Sequence, residues 1–178
     1  MRYAILLNPD QKIVTRLLKH KTIEAISLPA ILKNHLDQFP SIQNKLNRGQ
    51  LLDNSDIHQL LDFQSSQFPA DTQDLLFINY PSTLAQAQDL LQYAKLKNWT
   101  LNHAIYFKPS SKWKQATVDG WTHNNSEEDI QVLLKRLEKQ KRSYQDILSL
   151  MPFNQAQELI ADQNLMQLYH KVLRICNF

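Results

Sequence analysis

Six histidines, one cysteine and two glycines bound the chemistry this chain can carry. The histidines at 20, 35, 58, 103, 123 and 170 form no H-x-x-x-H or comparable ligand pair, so their spacing gives no zinc site. His170 lies six residues before Cys176, which leaves room for a Cys/His pair, but a bystander thiol is the simpler reading. A nucleophile elbow of the G-x-S-x-G type lacks its glycines, and a glycine-rich phosphate loop meets the same deficit, because only Gly49 and Gly120 are present. The basic run KRLEKQKR at 135–142 reads as a solvated helix face, with a docking surface for an acidic partner as the alternative. The corner in LLFINYPSTLAQA, 75–87, is where phosphate-handling α/β enzymes often place a carboxylate or an arginine. Here it carries Ile78, Asn79 and Ser82.

The elements that must position these residues follow from periodicity and punctuation. RYAILL (2–7) is an apolar strand ended by the turn residues Asn8-Pro9-Asp10. Ile13, Leu17 and Leu18 recur at helical spacing and predict a short helix over 11–21. TIEAISL (22–28) gives a second strand or an extended connection. Helices follow over 29–36 and 40–49, the second closing on Gly49 as a C-cap. NSDIHQLLDFQSSQ (54–67) is a helix with Ile57, Leu60 and Leu61 on one face, and DLLFINY (74–80) is a buried strand. TLAQAQDLLQYAKLKN predicts a helix whose core stripe is Leu84, Ala87, Leu91 and Ala94. NHAIYFKP (102–109) is a further strand. A helix over 126–151 is capped by Ser126, and the remainder, QAQELIADQNLMQLYHKVLRI, reads as helical with a division near 162–163. Strands alternating with helices imply a parallel sheet covered on both faces, with any ligand site at the carboxyl ends of the strands. Those ends are Asn8-Pro9, Asn79-Tyr80-Pro81 and Lys108-Pro109.

A length of 178 residues with 43% apolar content suits one domain, 1–178, with a substantial core. A formal charge of only +3, with the two signs interspersed, does not point to nucleic acid. The single cysteine excludes an internal disulfide, and no apolar run approaches the ~20 residues that span a bilayer. The start MRYAILLNPD lacks a cleavage site, so a soluble cytoplasmic protein without membrane insertion is expected.

Four segments in order resemble the adenylate kinase family of nucleoside monophosphate kinases. FINYPSTLAQAQDLL is similar to that family's D-G-F-P-R-T-x-x-Q-A, AISLPAILKNHL to its I-S-T-G-D-L-L-R, LNRGQLLDNSDIHQLL to its M-x-x-G-E-L-V-P-D-x-I, and SEEDIQVLL to the helix after its lid. The match runs from residue 2 to about 150. It implies a three-layer α/β fold like that of P-loop NTPases, a central parallel sheet flanked by helices with the lid deleted. An AMP-site-like helical part would span about 29–67, and a vestigial lid about 109–125.

The departures from the family carry the functional expectation. Its first strand leads into G-x-P-G-x-G-K-G-T, whose backbone N–H groups cradle phosphates. The corresponding NPDQKIVT is shorter and has no glycine. Lys12 and Thr15 could pass for the phosphate lysine and hydroxyl but at the wrong spacing, and a surface lysine and a helix threonine are the simpler reading. The family's arginines fall on Lys33, Ser82 and Leu133, its metal-side aspartate on Ile78, and its paired acids on Asn124 and Asn125. Losing two such arginines removes about 5 kcal/mol of transition-state stabilisation. Lys33 keeps charge without the bidentate fork. Gly49, Pro81, Thr83 and Gln86 match the family's AMP edge, either as a remnant nucleotide site or as residues that shape turns and caps. Trp113 and Trp121, in the lid position, would plug the vacated cleft or anchor an interface. The expectation is a pseudoenzyme without cofactor or metal that serves as a protein-interaction or assembly module. The alternatives are an AMP-type nucleotide sensor built around Gln86 and, less favoured, an active kinase.

Overall fold

A computed structural model describes residues 1–110, 126–161 and 164–178. Trp113 and Trp121, and most of the lid-like stretch, lie outside the described residues. Five strands form one sheet: β1 (Arg2–Leu7), β2 (Ile23–Ile26), β3 (Asp74–Ile78), β4 (Thr100–Lys108) and β5 (Ala156–Ile160). Their spatial order is β2-β3-β1-β4-β5 and every pairing is parallel.

Alternation along the central strands separates two cores. On one face Tyr3, Ile5, Leu7, Leu75, Phe77 and Tyr106 meet the helices α2 (Leu28–His35), α3 (Pro40–Asn47), α4 (Asn54–Ser66), α5 (Leu84–Leu96) and α6 (Glu127–Leu150). On the other, Ala4, Leu6, Leu76, Ile105 and Phe107 meet α1 (Gln11–Leu17) and α7 (Leu165–Cys176). The protein is thus an α/β structure with helices on both faces of an all-parallel sheet. No helix among the described residues is long and apolar enough to cross a membrane.

Local chemistry explains most of the element ends. Gly49 has φ +69, and the chain closes α3 with Gly49 N–H to Leu46 O at 2.9 Å and Gln50 N–H to Lys45 O at 3.0 Å, as a Schellman cap requires. Ser126 opens α6 in a reciprocal capping box with Asp129.

Three expectations are corrected. QAQELIA is not helical: Ala156–Ile160 pairs in parallel with Ala104–Lys108, because the free edge of β4 outweighs the helix preference of Ala, Gln, Glu and Leu. The first helix stops at Leu17 rather than near residue 21, leaving Leu18 exposed. The buried stripe of α5 is Ala87, Leu90, Tyr93 and Ala94, whereas Leu84 is exposed, since Tyr93 supplies the large surface that fits against α4.

Candidate functional site

The carboxyl ends of β1, β3 and β4 are joined by two asparagines. Asn8 and Asn79 follow β1 and β3, and both adopt the left-handed backbone, with φ 58 and 54, which asparagine tolerates better than most residues. The Asn8 N–H donates to Asn79 Oδ1 at 2.7 Å, and Asn8 Nδ2 donates to the Phe107 carbonyl at 3.0 Å. The Asn79 N–H donates to the Leu6 carbonyl at 2.9 Å. A main-chain N–H that could face a ligand oxygen at the head of β1 is therefore spent on a side chain of the protein.

The N-terminus of α1 is occupied as well. Asp10 is its N-cap, and its carboxylate accepts the Lys12 N–H at 2.7 Å. A phosphate brought to this helix end would meet a carboxylate already in the favourable field. Thr15 Oγ1 donates back to the Gln11 carbonyl at 2.9 Å, the habit of a helix threonine, and Lys12 is exposed.

At the corner after β3 the Tyr80-Pro81 peptide is cis and Pro81 is buried. Thr83 is the N-cap of α5, and its Oγ1 accepts the Gln86 N–H at 3.2 Å. Gln86 Oε1 accepts from both the Ser82 N–H at 2.9 Å and the Ser82 hydroxyl at 2.8 Å. Pro81, Thr83 and Gln86 thus belong to one capped corner. Lys33 is exposed on α2 and Gly49 ends α3, and among the described residues neither bonds to Gln86.

Two clefts border these strand ends. One, about 400 Å³, lies between α1 and α2 beyond β2 and β3, with Gln11, Ser27, Asn34, His35 and Gln64 as its polar groups and Ile78 among its apolar ones. Among the described residues no lysine, arginine or carboxylate lines it. The other, over Asn8, Tyr106 and Pro109, is reduced to about 30 Å³ by Leu137, Gln140, Lys141 and Tyr144 of α6. Tyr144 packs edge-on against Tyr106 with ring centroids 5.2 Å apart, and Gln140 Nε2 donates to its hydroxyl at 2.8 Å. Burial pushes Tyr106 up to about 12, so the phenol stays neutral.

A polar cluster outside the strand ends braces α4 against α5. His58 Nε2 pairs with Asp89 Oδ2 at 2.7 Å, Asn54 donates to Asp89 Oδ1 at 2.9 Å, and the Tyr93 hydroxyl donates to Asp62 at 2.6 Å. An aspartate-oriented histidine could serve as a base if a nucleophile faced it. Among the described residues no hydroxyl or thiol bonds to His58, whose ring instead lies 4.5 Å from that of Tyr93. Cys176 is buried, and burial pushes its thiol up to about 12, far from a reactive thiolate.

These features define an α/β protein whose sheet presents strand ends closed by its own side chains. Compared with known proteins, the chain matches no family profile and no curated relative. Of the closing residues, Asn79 stood out in the sequence only for what it was not, and the Tyr106–Tyr144 pair gave no signal. An asparagine directly after each of two apolar strand runs, Asn8 after RYAILL and Asn79 after DLLFI, was the one readable clue to the link.

Proposed function

We propose that the chain is a catalytically inactive, adenylate-kinase-like pseudoenzyme that acts as a protein-interaction or assembly module. A five-stranded parallel sheet between two helical layers is compatible with the three-layer fold that the resemblance implies. The observation that carries the reading is the bonding of Asn8 to Asn79 and Phe107, which spends the backbone donor a phosphate loop would offer. The Asp10 cap supports it, as does a larger cleft lined, among the described residues, by no lysine or arginine, because phosphoryl transfer needs cationic groups around the transferred phosphate.

Interconversion of ATP and AMP with ADP, followed by phosphorus NMR, is expected to stay at the buffer blank. Turnover above the blank that disappears in Lys12→Ala or Lys33→Ala would overturn the reading. The side-chain amide oxygen of Gln86 already caps its own corner. Gln86→Ala is therefore expected to lower stability by about 1 kcal/mol in urea melts while leaving the response to AMP unchanged and negligible.

A further inference from the structure

The thin helical layer formed by α1 and α7 carries a charge the whole chain does not show. Lys12, Arg16, Lys19 and Lys21 lie on α1 and the turn after it, and Lys171 and Arg174 on α7. Residues 11–22 and 164–178 contain no aspartate or glutamate, against a formal charge of +3 for all 178 residues. None of these six cations forms an ion pair among the described residues, whereas Arg2, Lys45, Lys97, Lys108 and Lys141 each do.

The cations border apolar surface. A groove of about 280 Å³ runs where Lys12 and Arg16, four apart on α1, and Lys19 in the turn after it meet Leu165 at the start of α7. Met166 on the same layer is 40% exposed, and Arg16 reaches over to its sulfur. A second groove, about 490 Å³, lies at the far end of α7 beside His170, Leu173, Arg174 and Phe178. The twelve residues of α7 give this surface a length of about 18 Å.

We propose that this α1–α7 surface docks an acidic, partly apolar segment of a partner protein. The proposal rests on the interaction-module reading above and names its contact surface. Carboxylates would pair with these cations, which have no ion-pair partner among the described residues, while apolar side chains cover Leu165 and its neighbours. Single-stranded nucleic acid is the poorer match, because base recognition uses free aromatic platforms, whereas Tyr169 is bonded to His20 at 2.8 Å and both Tyr169 and Phe178 pack against the core of this layer.

The test is fluorescence anisotropy of the full chain with a labelled peptide of about twenty residues repeating Glu-Glu-Leu, blocked at both ends. A Gln-Gln-Leu peptide and an oligothymidylate of similar length are the comparison probes. The acidic peptide should bind in a salt-dependent manner, and Lys12→Glu with Lys19→Glu should weaken it about tenfold with the circular dichroism spectrum unchanged. Reversing Lys135 and Lys139 on α6 should change it less than about twofold. The proposal is overturned if the peptide does not bind, if the α6 reversal weakens it equally, or if the oligothymidylate binds more tightly. Kinase turnover with peptide binding intact would instead remove the pseudoenzyme reading and leave the surface standing.

Discussion

Asn79 serves both as a backbone conformer and as a hydrogen-bond acceptor, and substitutions can separate the two roles. Asn79→Gly keeps the left-handed backbone and loses the 2.7 Å bond from Asn8, so it should lower stability by about 1 kcal/mol. Asn79→Ala loses the bond and also strains φ, and should lower stability by about 2 kcal/mol. Urea melts of the two variants check the order, and equal losses would show that the backbone conformation carries no weight. The same reasoning explains why the corner could be read in part from sequence. Thr83 and Pro81 have local roles that residue type announces, whereas the Asn8–Asn79 bond spans 71 positions and depends on sheet register.

Among the described elements, α6 fills the cleft over the ends of β1 and β4, with Tyr144 against Tyr106. Tyr144→Ala should lower stability by about 3 kcal/mol and open space beside Tyr106, detectable as new binding of a hydrophobic dye. Loss of stability without dye binding would indicate that the helix collapses inward. The elements legible in the sequence were those whose ends carry their own chemistry: Gly49 closing α3, Ser126 opening α6, Asn8-Pro9-Asp10 after β1. β5 was not legible, because QAQELIA is a helix former by composition and becomes a strand only beside the open edge of β4. The rotation of the α5 stripe has a similar origin. Leu84 fits the period, but the packing partners of Leu90 and Tyr93 are remote in sequence.

For the molecule as a whole, buried acids of weak character set its behaviour in alkali. Burial raises Cys176 from 9.0 to about 12, and raises Tyr3 and Tyr106 from 10.0 to about 12. The unfolded chain therefore loses these protons first. Above about pH 9 it binds fewer protons than the native state, so stability falls as pH rises and is fully present below that point. Urea midpoints should be flat between about pH 7 and 8.5 and drop progressively towards about pH 11. Cys176 should stay inert to thiol reagents in the native state and react on unfolding. A midpoint that held constant to pH 11 would contradict the assignment of these groups to the folded core.

The sheet order also governs how the chain can be made. β1 is the central strand, yet its neighbours arrive late: Arg2 meets Asp74 across 72 positions, and Asn8 meets Phe107 across 99. At a translation rate of about 5–20 residues per second, the apolar Tyr3–Leu7 segment leaves the ribosome several seconds before either flank exists. Its second cover, α7, lies later still, after β5. The sheet and both its helical layers cannot be completed before α7 has been made, and until then the nascent strand is an apolar segment without its native cover.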